Sequence, residues 1–113
     1  MKPIIMKNSL VPRLFSWFFP VSAITLFPFV FIIDEGDDLL IRHEEIHFRQ
    51  YLELLIIGFP IIYLFDFVWG LIRHKNVADA YHGIRLEQEA YQSESNPNYL
   101  QERKLYAWRK YTI

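Results

Sequence analysis

The sequence predicts a mainly helical single domain associated with a membrane, with room for a short β-strand ahead of its first long helix. Three observations carry this reading. From Asp37 to Ile57 apolar residues recur with no Gly or Pro until Gly58, which suits one long helix. Val77, Tyr81, Ile84, Gln88 and Tyr91 fall three to four apart, the stripe of a second helical region. Hydrophobic residues make up 52% of the 113 residues and aromatics 18%. That is more than a small soluble domain ordinarily carries, and it calls for a partner surface.

Residues 1–33 form a hydrophobic lead-in. Leu14 to Ile33 carries no charge over twenty residues, a length that can span a bilayer. Pro20 and Pro28 interrupt it. From Ala23 to Ile33 the β-favouring Ile24, Thr25, Phe27, Phe29, Val30, Phe31 and Ile32 read equally well as a strand. The run is too long for a signal peptide, and no small-residue cleavage site follows.

Residues 37–75 hold the long helix and an apolar arm. Asp37 and Asp38 suit its N-terminus, by capping and by charge against the helix dipole. Gly58 and Pro60 break the run into a hairpin, one arm from Asp37 to Ile57 and the other from Pro60 to His74. Residues 76–113 are more polar. Ala80, Ile84, Glu87 and Ala90 share a stripe that turns Glu87 partly inward. Ser93 to Asn98 is a loop, with Asn96 and Pro97 as the cap and first turn of a last helix from Pro97 to Tyr111. That helix mixes Arg103, Lys104, Arg109 and Lys110 with Tyr99, Tyr106, Trp108 and Tyr111. Such a mixture suits a membrane interface, or equally a covering helix.

The chemistry lies in His43-Glu44-Glu45-Ile46-His47, an H-E-x-x-H pentad. On a helix, i and i+4 share a face, so two imidazoles can grip one metal ion. Glu44 sits off that face yet within reach of a water at the metal, as a general base would. A catalytic zinc site takes three protein ligands. The chain has no cysteine, so the third must be His, Asp or Glu. Arg85-Leu86-Glu87-Gln88-Glu89-Ala90-Tyr91 offers two carboxylates. They lie about 200° apart on a helix, so only one can face a given metal. Gln50 is placed near the site or on the surface. Tyr81, His82 and Tyr91 either donate to a developing oxyanion or pack. Arg42 and Arg49 are expected to be solvated or paired with Glu45 or Glu53.

Here the chain resembles the gluzincins, metallopeptidases with H-E-x-x-H on one helix and a glutamate ligand on a later one. Several membrane-linked branches carry Glu-x-x-Ala-Asp as the second motif. Glu87-Gln88-Glu89-Ala90 fits it, with Tyr91 where Asp is usual. The resemblance implies zinc (Zn2+) held by His43, His47 and Glu87, with Glu89 the second choice as third ligand. From about Ala23 onward the layout is also similar to a set of small bacterial proteins. The matching residues are His43, Glu44, His47 and Gln50, then Tyr63, then Glu87, Glu89, Ala90 and Tyr91, then Tyr99, Arg103 and Trp108. This second likeness implies a metal site and no particular substrate.

A net charge of −1 gives no sign of a nucleic-acid partner. Leu54 to Ile72 is apolar but for Asp66. A straight crossing there would separate His47 from Glu87 by about 30 Å, whereas zinc ligands converge to about 2 Å from the metal. A hairpin returning both ends to one side reconciles the two, and it keeps Asp66 out of lipid. Arg73, His74 and Lys75, with Lys2, Lys7 and Arg13 ahead of the first apolar segment, suit the cytoplasmic face of a bacterial inner membrane. The expected partners are membrane lipid or a membrane protein. The expected function is zinc-dependent peptide hydrolysis with a peptide substrate. The alternative is a non-catalytic membrane-protein subunit or metal-stabilised scaffold.

Overall fold

The computed structural model describes residues 2–15 and 22–113. The centre of the first apolar run, residues 16–21, lies outside the described residues. The chain is mainly helical with one small sheet. In order come β1 (Ile4–Met6), α1 (Val11–Phe15), β2 (Ala23–Leu26), β3 (Phe29–Ile32), α2 (Asp38–Glu53) and α3 (Gly58–His74). Then follow α4 (Val77–Gly83), α5 (Arg85–Ser93), α6 (Tyr99–Glu102) and a 3-10 turn at Ala107–Lys110.

The single strand expected over Ala23–Ile33 is a hairpin instead. Its turn is Phe27-Pro28, with a cis peptide bond, and β2 and β3 pair antiparallel with Thr25 opposite Val30. β1 adds in parallel on the far side of β3, giving the order β1-β3-β2. Folding the run back on itself buries Thr25, Val30 and Ile32 against the helices and leaves Leu26 and Phe29 outward. Phe27 stacks on Phe48 of α2, centroids 5.0 Å apart.

α2 begins as expected. The Asp37 carboxylate accepts a hydrogen bond from the Leu40 amide at 2.7 Å, satisfying a first-turn donor. The helix ends at Glu53, four residues earlier than the sequence suggests. Leu55 and Ile56 adopt left-handed backbone, φ 55° and 68°, and the Ile56 amide returns to the Tyr51 carbonyl at 2.8 Å. That closes the helix as glycine usually does. Gly58 therefore opens α3 rather than closing α2, and Pro60 falls in its first turn, where the missing N–H costs nothing. The two helix axes differ by 112°. Among the described residues, no single helix is long and apolar enough to cross a membrane.

α3 turns Phe59, Asp66 and Gly70 inward. At Gly70 a Cβ would stand 2.9 Å from the Ala80 Cα, so glycine lets α3 and α4 meet backbone to backbone. Asp66 is fully buried. It takes two bonds from the Arg85 guanidinium, both 2.9 Å, and one from the Arg85 amide at 3.0 Å. It thus caps α5 from another helix. The Arg85 guanidinium in turn lies over the Trp108 ring, 5.1 Å from its centroid.

The stripe from Val77 to Tyr91 is two helices, not one. Gly83 ends α4, and Ile84 is extended at φ −60°, ψ 126°. The final helix expected over Pro97–Tyr111 is also broken. Asn96 forms a local turn with the Asn98 amide rather than capping α6. Arg103 is extended, and Tyr106 is left-handed. The cause is a buried ion cluster. The Arg103 side chain reaches between Glu53 and Glu89, and the Tyr106 amide donates to Glu53. A continuous helix would pull the guanidinium out of this pocket and leave two buried carboxylates uncompensated.

Candidate metal centre

Three elements meet α2 at the pentad: α5, α3 and the β2 edge of the sheet. α2 presents His43, Glu44 and His47, all buried at 4% exposure. Their ligand atoms lie within 4.8 Å of one another, and the group can hold a metal ion. α5 brings Glu87 to the same point. Its Oε1 is 3.0 Å from His43 Nε2 and 3.0 Å from His47 Nε2. Its Oε2 accepts from the Tyr63 hydroxyl of α3 at 2.7 Å.

The outer ring nitrogens are committed elsewhere, and this fixes the character of the inner ones. His47 Nδ1 meets Gln50 Oε1 at 2.8 Å. Gln50 Nε2 already donates to the Leu86 carbonyl and to Glu89 Oε1, so its oxygen accepts and His47 Nδ1 donates. His43 Nδ1 meets the Glu94 carboxylate at 2.8 Å and likewise donates. Both neutral imidazoles then point Nε2 lone pairs at Glu87 Oε1, itself an acceptor. Three acceptors converge with no donor between them. Such a cluster is stable only around a cation, either a proton on a ring nitrogen or a metal ion. Atoms sharing a tetrahedral metal at about 2.0–2.1 Å lie about 3.3 Å from each other. The 3.0 Å spacings are near that and contract slightly around a proton.

The electrostatics agree. Burial pulls His47 down, but the facing Glu87 charge and hydrogen bond outweigh it and hold the imidazole well above its ordinary range. Burial pushes Glu87 up, yet His47 and His43 bring it below the usual carboxylate range. Glu44 goes the other way. Burial raises it, Glu87 adds to the rise, and the two histidines offset only part. Thr25 of β2 holds Glu44, its hydroxyl lying 3.1 Å from Oε1 and 3.2 Å from the Glu44 carbonyl. Glu44 Oε2 stays 3.8 Å from His43 Nε2. A raised carboxylate beside a cation site is a group poised to take up and release a proton.

Glu89 does not share this point. Its oxygens accept from Gln50, Tyr99 and Arg103, so it supports Gln50 from behind. The order is Arg103, Glu89, Gln50, His47, each side chain bonded to the next. Gln50 itself is fully buried, not a surface glutamine. Arg42 donates to the Glu94 carbonyl at 2.6 Å rather than pairing with Glu45 or Glu53. Arg49 is exposed. The Tyr81 and Tyr91 hydroxyls meet at 3.0 Å, and the Tyr91 ring sits edge-on to His43 at 4.4 Å. His74 and His82 are exposed.

A cleft of about 300 Å3 opens beside the cluster, lined by Glu44, His47, Glu87, Tyr81 and strand β2 among mostly apolar side chains. Thr25 and Glu94 have no site role in the sequence reading, and Tyr63 enters it only as a matching residue of the small bacterial proteins. Glu94 follows Glu87 by seven residues, two helical turns, which is a readable signal. Thr25 carries no such signal, because only the packing of sheet on helix brings it to Glu44. Compared with known protein families, curated proteins and solved structures, the chain matches none.

Proposed function

We propose that this protein is a zinc-dependent hydrolase of peptide bonds, with zinc held by His43, His47 and Glu87. One observation carries the reading. The Nε2 atoms of both histidines each lie 3.0 Å from one carboxylate oxygen, with both Nδ1 positions tied to acceptors behind them. Bound zinc would supply Lewis acidity, bringing the pKa of a water toward neutrality. Glu44 takes the proton of the attacking water as its oxygen bonds the scissile carbonyl carbon. It then returns that proton to the amine as the C–N bond breaks. Thr25 keeps the Glu44 carboxylate in place, and Tyr63 holds Glu87.

β2 is an edge strand that lines the cleft. Ser22 accepts from the Ile33 amide on the β3 side, so alternation turns the backbone of Ala23 and Thr25 outward. The Tyr51 hydroxyl on the Thr25 carbonyl fits that direction. An extended peptide pairing there would run past Glu44. These features, with the pentad and the Glu87-Gln88-Glu89-Ala90 motif, support a gluzincin-like reading.

A second reading is favoured by the tight grouping of Glu44 with both histidines. In it Glu44 is a fourth ligand, and the metal only stabilises the fold. Glu44→Gln separates the two. A hydrolase keeps about one zinc per chain and loses turnover of a quenched peptide library, because a neutral amide accepts no proton. Loss of zinc with Glu44→Gln overturns the catalytic reading. Absence of zinc in the unsubstituted protein, purified without chelator, overturns both.

A further inference from the structure

We infer that the outer face of α3, with the bend before it, docks onto the surface of a lipid bilayer bearing anionic headgroups. The inference is independent of the hydrolase reading. α3 is apolar outside, while its inner side mixes apolar core residues with polar groups. Its inward stripe carries Tyr63 and Asp66, bonded to Glu87 and Arg85. Its outward stripe is Ile57, Ile61, Leu64, Phe65, Val68 and Ile72, all exposed, with Ile61 at 63% and Ile72 at 64%. No charged side chain interrupts it. At 100° per residue the stripe and Trp69 cover an arc of about 140°. That is wider than the narrow seam that pairs two helices.

The bend makes the same point separately. Leu55 and Ile56 hold left-handed backbone, which is costly for a β-branched residue. The result is Leu55 at 82% exposure and Ile57 at 71%. Helix closure needs the turn but does not need apolar side chains on it.

The charge pattern selects lipid as the occupant. Arg73 and Lys75 close α3 and are exposed. Arg73 bonds the Ile113 carbonyl at 3.0 Å, which draws the C-terminal segment to this end of the helix. Exposed Arg109 and Lys110 belong to that segment. An uncharged face ending in cations is the pattern of a helix lying in the headgroup layer. Pro60 and Leu64 belong to the exposed surface and also line the cleft, so docking sets the cleft rim at the lipid.

The chain has no cysteine, so single labels are unambiguous. Ile61→Cys carrying an environment-sensitive fluorophore should shift to the blue with vesicles of phosphatidylcholine and phosphatidylglycerol. The same label at Gln92→Cys, exposed on α5, should not shift. An unlabelled Ile61→Asp/Leu64→Asp double variant should bind those vesicles roughly a hundredfold more weakly, with metal content and unfolding midpoint kept as checks on the fold. Lys75→Gln should weaken binding about fivefold, and only when phosphatidylglycerol is present. No vesicle binding by the unsubstituted protein overturns the inference. So does a lipid-free dimer, seen by light scattering, that the double variant dissolves, since the face would then belong to a second copy.

Discussion

α2 and α3 are nearly equal in length, 16 and 17 residues, and both turn polar groups inward, yet their outer faces differ. α2 shows Asp38 and Arg49 to solvent along with Leu39. α3 shows almost only apolar side chains. The common interior and contrasting exterior separate two demands on the sequence. Beside an apolar core that includes Tyr51 of α2 and Phe59 of α3, the interior holds charged clusters, so each helix also contributes polar atoms and each such atom needs a partner. The exterior is not constrained by those clusters. Its composition reports what surrounds each helix, and α2 and α3 report different surroundings.

The interior is broken most severely at Arg103. It pairs with Glu53, which also takes the Tyr106 amide, and joins Tyr99 and Gln50 in holding Glu89, and both carboxylates are at most 5% exposed. Arg103→Ala leaves buried charge without its counter-ion. We expect a loss of about 3–5 kcal/mol, read by urea denaturation of the metal-loaded protein. A loss under 1 kcal/mol would mean that water enters and replaces the guanidinium.

Next comes the α3–α4 contact. Gly70→Ala would place a methyl 2.9 Å from the Ala80 Cα. Backbone cannot yield as a side-chain tip does, so α3 must shift, at a cost of about 1–3 kcal/mol. Because α3 carries Tyr63 to Glu87, zinc affinity should fall together with the thermal midpoint. An unchanged affinity would uncouple the outer helix from the centre.

Gln50→Leu tests how the interior reaches the histidines. It removes the acceptor that fixes His47 Nδ1 and the link to Glu89. Loss of such an outer partner lowers metal affinity by about 10–100-fold. Chelator competition measures this. A fall in stability with no change in affinity would make Gln50 a core residue only.

These positions also show which parts were legible in sequence. The pentad, the Asp37 cap and the long helix were readable, because they rest on spacing within a few residues. That Glu87 turns inward was readable from its stripe with Ala80, Ile84 and Ala90, and the structure brings it to 3.0 Å from both histidines. The early end of α2 was not. Leu55 and Ile56 lack the glycine that usually announces a left-handed turn, and Gly58 drew attention to the wrong side of the break. Nor was the break in the last helix. Arg103 leaves helical geometry for partners fifty and fourteen residues away, Glu53 and Glu89, and no local pattern encodes that. The Thr25–Glu44 contact depends in the same way on how β2 packs over α2.

Proton and metal should compete at the centre. Without metal, Glu87 raises His47 from its ordinary 6.5 to about 9, against the pull of burial. A folded-state value above the unfolded one contributes stability that is complete below about pH 6.5 and fades as pH rises through about 9. Metal-free protein should therefore lose stability over that window. Zinc must displace the same proton, so its affinity should rise as pH rises over that range. Guanidinium titrations at several pH values, with and without zinc, check both signs. A metal-free protein that gains stability between pH 6.5 and 9 would contradict the His47–Glu87 pairing.

The smallest effect, at Leu64, is set against that of its neighbour Tyr63 on α3. Tyr63 points inward, its hydroxyl 2.7 Å from Glu87, whereas Leu64 is 62% exposed. Tyr63→Phe removes one hydrogen bond to a charged group and leaves Glu87 Oε2 buried, at a cost of about 1.5–3 kcal/mol. Leu64→Ser removes an outward side chain that folding in water does not need, and its effect should stay within about 0.5 kcal/mol. Denaturation of both variants without lipid measures the difference directly. Equal losses would mean that the outer face is covered within the chain itself. An unequal pair, with Leu64→Ser near zero, leaves the outer apolar stripe with no role in the fold of the isolated protein. Its retention on a helix whose other side bonds Glu87 then has to be explained by what the protein meets outside itself.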